Sequence, residues 1–258
     1  MKHFLLTLFL CLISISPLFA QEEAQPLSAE KILSEILAIE QFLDGCDRMQ
    51  LEGEDKILLK KATTTWETFK ELCGKSDFEE AICFYQQNFQ DFWVYLFNTS
   101  AQFYFTRTII KHLAFQSMSW EEAYDLYRSD LELNLIMTEG VIEMAKGKKG
   151  YVPQHYADLT HEMIGLYMEG EEWEKAHEIV DHYVDAIRLV LDFTKFSCKA
   201  SRLYVESIIF EREGKTQKAK ETAESGLQYV LNVKEDGATP ENVQGFIELF
   251  EQQLQNLK

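Results

Sequence analysis

Apolar residues recur every three or four positions along most of this chain, whereas strict alternation of apolar and polar residues is rare. The clearest stripe follows Trp173 and consists of Ala176, Ile179, Val180, Tyr183, Ile187, Val190 and Leu191. Such spacing places the side chains on one face of an α-helix. The last segment repeats the pattern after Thr239 and Pro240, which suit the N-cap and the first helical position. The pattern predicts an all-α fold.

The same reading predicts a series of helices joined by short turns. Helices are expected at about 28–48, 54–73, 77–98, 100–115, 120–145, 153–168, 172–193, 198–212, 215–233 and 240–257. The stretch "KGKKGYVP" interrupts the series most strongly, because glycine and proline both disfavour helix continuation. The helical domain 28–258 is therefore either one array or two sub-arrays, 28–146 and 151–258.

One short phrase occurs four times, as "SDFEEAI" (76–82), "MSWEEAY" (118–124), "EEWEKAH" (171–177) and "GKTQKAK" (214–220). In the first three copies an aromatic residue precedes an alanine by three positions, in the pairs Phe78 and Ala81, Trp120 and Ala123, and Trp173 and Ala176. In the fourth copy Thr216 takes the aromatic position before Ala219. We expect each phrase to begin the second helix of a hairpin. The ring would fill the corner, and the alanine would let a neighbouring helix approach closely.

The phrases give the chain a resemblance to the tetratricopeptide repeat family. Tyr167 stands nine residues before Ala176, and Phe210 stands nine before Ala219. These pairs match the family's aromatic in the first helix and alanine in the second. The resemblance covers residues 54–233, and its repeats exceed the family's usual length of about 34 residues. It implies stacked antiparallel hairpins in a solenoid or right-handed superhelix, with a concave groove for a protein or peptide.

The first twenty residues are typical of a secretory signal peptide. Lys2 precedes an apolar run from Phe4, and Pro17 breaks the run before Ala20. We expect cleavage after residue 20, a short lead at 21–27, and export to the periplasm or the medium. No later segment is apolar for long enough to predict a membrane span.

The net charge of the chain excludes some classes of partner. The net charge is −18, which disfavours binding to nucleic acid or to anionic lipids.

Four cysteines follow the signal sequence: Cys46, Cys73, Cys83 and Cys198. Their expected positions on separate helices exceed the reach of a disulfide, so buried free thiols are predicted.

The richest cluster of candidate binding residues is the aromatic block at 84–105, "FYQQNFQDFWVYLFNTSAQFYF". The block is either a helix buried on both sides or the lining of a groove, because aromatic residues dominate binding hot spots. Tyr95 and Tyr104 are the groove candidates. Arg107 and Lys111 form a small basic spot that either binds a partner's carboxylate or pairs with the protein's own acids.

The histidines offer a weaker candidate for metal binding. His155, His161, His177 and His182 fall on two neighbouring predicted helices, and His161 and His177 are the candidate ligands. "HEIVDH" lacks the four-residue histidine spacing of zinc proteases, so solvated histidines on an acidic face are favoured.

The sequence contains no recognisable catalytic motif, and no cofactor is expected. The favoured function is an exported, non-enzymatic scaffold that binds a protein or peptide. Two alternatives stay open. One is a helical array with an apolar or metal-binding pocket, as an enzyme or small-ligand binder. The other is a self-associating structural protein of the cell envelope.

Overall fold

The computed structural model describes residues 27–46, 54–145, 153–234 and 238–258. These residues form 11 helices and no strand, which confirms the all-α prediction. The predicted signal peptide, most of the lead and the "KGKKGY" segment lie outside the described residues. Among the described residues, every helix is too short or too polar to cross a bilayer.

The helices are numbered in chain order. The first six are α1 (Ala29–Asp44), α2 (Glu54–Gly74), α3 (Phe78–Gln87), α4 (Phe89–Leu96), α5 (Thr99–Phe105, continued by Thr106–Ile110 and Lys111–Ser117) and α6 (Trp120–Ala145). The others are α7 (Tyr156–Glu169), α8 (Trp173–Val190), α9 (Lys195–Arg212), α10 (Thr216–Leu231) and α11 (Pro240–Asn256). Thr239 caps α11 by accepting the amide of Asn242, with Pro240 at its start, as the sequence predicts.

The described residues divide into two compact units, one ending at His155 and one beginning at Tyr156. In the N-terminal unit, α2 packs on α1, α3 and α4, while α5 packs on α1, α3 and α6. The core is aromatic and centres on the fully buried Trp66. The ring centroids of Phe92, Tyr95 and Phe105 lie 6.1, 4.5 and 5.3 Å from that of Trp66.

The aromatic block contains one break more than the predicted helices 77–98 and 100–115 imply. The side-chain amide of Asn88 donates to the carbonyl of Phe84 at the end of α3. Helix α4 ends at Leu96, and the next residue, Phe97, has a φ of 28°. Asn98 then caps α5 by accepting the amides of Ser100 and Ala101. Two asparagines therefore cut the block into three helices, because their side chains compete for local backbone groups.

Helix α5 contains one π-helical turn, Thr106–Ile110. The amide of Lys111 donates to the carbonyl of Thr106, five residues back, instead of the usual four. A π turn is wider than an α-helical turn and takes up one extra residue within the helix.

In the C-terminal unit, each helix packs on its neighbour in the chain, and α9 also packs on α11. Two neighbouring pairs come first, α7 with α8 and α9 with α10, and α11 follows them. Helix α10 approaches α11 closely at Gly226, where a Cβ atom would lie 2.3 Å from the ring of Phe250.

Three of the four repeated phrases contain the same helix-ending turn. The residue with a left-handed backbone is Ser76 (φ 59°), Glu171 (φ 56°) or Gly214 (φ 79°). The next amide donates to the carbonyl five residues back, in the pairs Asp77 and Leu72 (3.1 Å), Glu172 and Tyr167 (2.9 Å), and Lys215 and Phe210 (2.9 Å). These bonds satisfy carbonyls that the helix end leaves without partners.

The alanines of all four phrases are completely buried: Ala81, Ala123, Ala176 and Ala219. Phe78 and Trp173 are the first residues of α3 and α8, and both are half-buried. Both aromatic residues that precede an alanine by nine positions are buried and lie under a lysine. Lys175 Nζ is 5.4 Å from the ring centroid of Tyr167, and Lys218 Nζ is 4.1 Å from the ring centroid of Phe210.

The second phrase differs, and the expectation that Trp120 fills a corner between helices is wrong. Trp120 is 53% exposed and stacks on Tyr124 at 5.0 Å. Here Ser119 and Glu122 form a reciprocal capping box, with Ser119 N donating to Glu122 Oε2 and Glu122 N donating to Ser119 Oγ. Met118 is extended, so α6 begins without the left-handed turn of the other phrases.

Candidate functional site

Tyr95 belongs to the core, and its selection as a groove residue is wrong. Its ring stacks on Trp66 with an interplanar angle of 16°, and the residue is 8% exposed. The sequence cannot identify this, because the whole block is aromatic and only the packing of α2 against α4 decides which rings are covered.

Tyr104 is exposed, as the groove interpretation requires, and its hydroxyl is bound within the protein. Tyr104 Oη donates to Glu35 Oε2 at 2.7 Å, and Lys31 Nζ lies 2.7 Å from Glu35 Oε1. The hydrogen bond from Lys31 is the main cause of a lowered pKa of Glu35, and the bond from Tyr104 lowers that pKa further. The bond between Tyr104 and Glu35 also raises the pKa of Tyr104, because it is lost when the phenol ionises. The three residues form a surface link between α1 and α5.

Arg107 and Lys111 lie against aromatic rings. Arg107 Cζ is 6.0 Å from the ring centroid of Phe103, and Lys111 Nζ is 5.2 Å from that of Tyr127. Arg107 lies inside the π turn and Lys111 directly follows it. Both side chains are half-buried and contribute to the packing of α5.

The candidate metal ligands lie in different surroundings. The ring of His161 is 6.3 Å from that of Tyr183, whereas the ring of His177 is 4.4 Å from that of Phe210. His177 Nε2 lies 3.7 Å from Glu213 Oε2. Within the described part of the chain, no three His, Cys, Asp or Glu side chains are grouped so as to hold a metal ion.

His155 corrects the expectation of solvated histidines, because it is buried in the N-terminal unit. Its Nδ1 lies 2.8 Å from Ser100 Oγ, and its Nε2 lies 2.9 Å from Thr138 Oγ1. Burial lowers the pKa of His155 to about 4, so the ring is neutral near pH 7. A neutral imidazole donates through one nitrogen and accepts through the other, and each hydroxyl here can take the complementary role.

Thr138 is part of a buried polar row on α6. Asp130, Asn134 and Thr138 are four residues apart and therefore lie on one helix face, and all three are buried. Tyr85 Oη donates to Asp130 Oδ2 at 2.7 Å. Burial raises the pKa of Asp130 to about 7 and outweighs the hydrogen bond from Tyr85, which lowers it.

Asn134, in the middle of the row, connects α6 to the π turn of α5. Its Nδ2 donates to the carbonyl of Asp130 at 2.8 Å and approaches Thr106 Oγ1 at 3.4 Å. The Oδ1 atom is buried and has no hydrogen-bond partner. Each polar contact has a defined direction, so together these contacts fix the rotation of α6 about its axis.

That rotation leaves a second, apolar face of α6 exposed. Ile136 is 65% exposed, Met137 is 42% exposed and Met144 is 77% exposed. Gly140, between them, is exposed, and a Cβ atom added there would meet nothing within 4 Å. With the half-buried Leu133, these residues form what we call the α6 stripe. Sequence analysis missed the stripe, although its spacing of three and four residues is readable, because α6 has two apolar faces and only one reaches the core.

The four cysteines in the described part of the chain are free, and their burial differs from the prediction. Cys73 and Cys198 are buried, Cys46 is half-buried and Cys83 is exposed. The prediction of a buried thiol is therefore wrong for Cys83, which lies on the outer side of α3. Burial raises the pKa of Cys73 to about 12, so this thiol stays protonated near neutral pH.

Comparison with known proteins adds no family assignment. The chain matches no protein-family model, and neither the curated proteins nor the solved structures give a significant match. The resemblance to tetratricopeptide repeats therefore stays a prediction.

Proposed function

We propose that this protein is an exported, non-enzymatic helical-repeat scaffold that binds a protein or peptide partner. The observation that carries the proposal is the α6 stripe. Ile136 and Met144 are among the most exposed large apolar residues in the described part of the chain. Contiguous apolar surface of this kind marks interaction sites, because leaving it in water is unfavourable.

The repeated turns support the scaffold half of the proposal. Left-handed residues at Ser76, Glu171 and Gly214 end helices in the same way. Each turn is followed, five residues later, by a fully buried alanine. A stack of antiparallel hairpins requires the same turn and the same small buried residue in each repeat, since every repeat meets its neighbour through the same surfaces. The proposed architecture is therefore a tetratricopeptide-like solenoid with long repeats.

The N-terminal sequence supports export. A basic start, an apolar run and Pro17 before Ala20 are the features of a cleaved signal. The proposed partner is accordingly a protein of the periplasm or the extracellular space. Cell fractionation combined with N-terminal sequencing tests this step, and a mature chain that retains residues 1–20 in the cytoplasm would contradict it.

The binding half is tested by affinity capture of the tagged full-length chain from its own cells, followed by quantitative mass spectrometry. The test variant is Ile136→Glu/Met144→Glu, which places two charges in the α6 stripe. The matched control is Leu189→Glu/Leu231→Glu, which adds the same charges at exposed apolar residues elsewhere. We expect one or a few proteins to be captured by the wild type and the control and lost with the test variant.

A folding control makes the result decisive. Circular dichroism must show equal helicity and thermal stability for both double variants, which is expected because all four residues are exposed. If the stripe variant captures the same proteins in the same amounts as the wild type, the stripe is not the binding surface and the proposal loses its support.

A further inference from the structure

We propose that the N-terminal unit contains a proton-dependent joint between α3 and α6, in which the Asp130 carboxyl accepts from Tyr85 and donates its own proton to Asn134. While the carboxyl keeps that proton, the joint is closed, and when the proton leaves, the joint loosens. The joint is independent of the proposed function, because it concerns how the fold responds to pH.

Asp130 differs from three other carboxylates that connect helices of this unit. Each of those is bound by a lysine and by a neutral donor: Asp91 by Lys61 and Thr65, Glu40 by Lys70 and Trp66, and Glu35 by Lys31 and Tyr104. Asp130 is 3% exposed and is bound by the neutral donor Tyr85. Among the described residues it has no cationic partner. Its negative charge therefore has nothing to compensate it, which favours the neutral acid.

The cationic side chains of the neighbouring helices act elsewhere. Helix α3 contains no lysine, arginine or histidine, and its Glu79, Glu80 and Cys83 are exposed. Those of α5 and α6 contact rings or other acids: Arg107 the ring of Phe103, Lys111 the ring of Tyr127, His112 the charge of Glu35, and Arg128 the carboxylate of Asp125. Burial raises the pKa of Asp130, the hydrogen bond from Tyr85 lowers it, and no charged group contributes.

Asn134 supplies the acceptor that a protonated Asp130 requires. The two residues are four apart on α6, so their side chains lie on one helix face. Asn134 Nδ2 donates to the backbone carbonyl of Asp130 at 2.8 Å, which holds the amide beside that residue. Asn134 Oδ1 is buried and has no hydrogen-bond partner among the described residues. A buried acceptor without a donor is destabilising, and the carboxyl proton removes that penalty.

Tyr85 determines which carboxyl oxygen carries the proton. Its Oη lies 2.7 Å from Asp130 Oδ2. Burial, followed by the charge of Asp130, raises the pKa of Tyr85 well above its ordinary value, so the phenol keeps its proton and donates. Oδ2 is therefore an acceptor, and the proton of the neutral carboxyl lies on Oδ1. The hydrogen bonds then run in one direction, from Tyr85 through Asp130 to Asn134.

Loss of the proton to solvent breaks this order. Asp130 Oδ1 and Asn134 Oδ1 become two acceptors with no hydrogen between them, and the buried carboxylate is stabilised by any opening that admits water. The pKa of Asp130 is 3.8 in water and about 7 in the closed joint. Between these values the open joint has lost a proton that the closed joint keeps, so opening becomes easier as pH rises. Above pH 7 both states are ionised and the effect levels off.

NMR spectroscopy of the full mature chain, with ¹³C in the side-chain carbonyl carbons of Asp and Asn, locates the proton. We expect the Asp130 carboxyl to titrate with a midpoint at about 7, and the Asn134 carboxamide to shift with the same midpoint. Asn134→Leu should lower the Asp130 midpoint by about one pH unit, because the protonated form loses its acceptor.

Three results of this titration would overturn the proposal. A wild-type midpoint near the ordinary 3.8 would mean that Asp130 is ionised in the fold. An unchanged midpoint in Asn134→Leu would give the proton a different acceptor. A wild-type Asn134 signal that does not respond would do the same, and this measurement decides the point even if Asn134→Leu does not fold.

Hydrogen exchange of the backbone amides around Tyr85 and Asp130 tests the opening itself. After correction for the intrinsic exchange rate, the opening constant of the wild type should rise about fiftyfold from pH 5 to pH 7. Asp130→Asn keeps an N–H donor for Asn134 at every pH and should abolish this rise. Asp91→Asn is the matched control, because Asp91 is also buried but is bound by Lys61, and it should keep the rise. The same pH dependence in the wild type and in Asp130→Asn would overturn the joint.

Discussion

Tyr85 Oη and Asp130 Oδ2 lie 2.7 Å apart inside the N-terminal unit, and both residues are buried. The same chemical pair occurs at the surface, where Tyr104 Oη lies 2.7 Å from Glu35 Oε2. The two hydrogen bonds have equal length, but the first is buried and the second is exposed to solvent. Their contributions to stability can therefore be compared within one protein.

The first prediction uses this comparison. Tyr85→Phe leaves the Asp130 carboxyl buried without its donor, so the free energy of unfolding should fall by about 1–3 kcal/mol. Tyr104→Phe removes an exposed bond that water can replace, and should cost at most about 1 kcal/mol. Urea denaturation followed by circular dichroism measures both. Equal losses for the two variants would mean that Asp130 has water or another donor available.

The second prediction concerns the pH dependence of stability, to which Asp130 and His155 contribute with opposite signs. The pKa of Asp130 rises from its ordinary 3.8 to about 7 on folding. Between those pH values the folded carboxyl keeps a proton that the unfolded chain has lost, so its contribution to stability falls as pH rises. The pKa of His155 drops from 6.5 to about 4. Between pH 4 and 6.5 the unfolded chain holds the extra proton, so this contribution rises with pH.

Single variants should separate the two contributions. Relative to the wild type, Asp130→Asn should gain stability from pH 4 to pH 7 by about 1.4 kcal/mol per pH unit, and level off above. His155→Gln should lose stability relative to the wild type between pH 4 and 6.5 with a similar slope. Urea titrations at half-unit pH steps provide the data. A difference curve for Asp130→Asn that is flat across this range would show that the carboxyl ionises in the fold as it does in water.

The third prediction concerns the close approach of α10 and α11. Gly226→Ala places a methyl group 2.3 Å from two ring atoms of Phe250, which is fully buried and has little room to move. We expect a loss of about 1–3 kcal/mol from this overpacking. Gly140→Ala is the matched control in α6, where the new methyl group meets nothing. It should stabilise the protein by about 0.5–1 kcal/mol through helix propensity. A tolerated Gly226→Ala would mean that the two helices separate easily.

The fourth prediction tests the repeated turn. Glu171 adopts a φ of 56°, which costs a residue with a Cβ atom about 1 kcal/mol or more. Glu171→Gly should therefore raise the melting temperature, whereas Glu174→Gly, three residues later inside α8, should lower it. In the equivalent turn Gly214→Ala should be destabilising, since Gly214 has a φ of 79°. Differential scanning fluorimetry is sufficient. A drop for Glu171→Gly would show that its side chain outweighs the backbone strain.

Features encoded by neighbouring residues were predictable from the sequence. The Thr239 cap, the Asn98 break and the helix beginnings at Phe78 and Trp173 all depend on local hydrogen bonds and local backbone preferences. The helical period was equally readable, because it repeats within a few residues. These features follow from spacing alone and need no knowledge of which helices meet.

Features that depend on distant partners were not predictable. His155 is buried because Ser100 and Thr138, 55 and 17 residues away, supply hydroxyls for both ring nitrogens. Tyr95 and Tyr104 come from one aromatic block, and only the position of Trp66 decides which of them is covered. The exposed side of α6 was missed for the same reason, since its apolar pattern does not say which face has a neighbour.

The π turn at Thr106–Ile110 confines one extra residue of α5 to a single wide turn. Deleting one residue there would restore ordinary α-helical bonding with little rotation of the two turns that follow, because the wide turn already absorbs the extra residue. Leu113 and Ala114 would stay covered. The change would fall on the side chains of the turn itself, among them Thr106, which Asn134 contacts. A chain one residue shorter here would thus keep the packing of α5 on both sides of the turn.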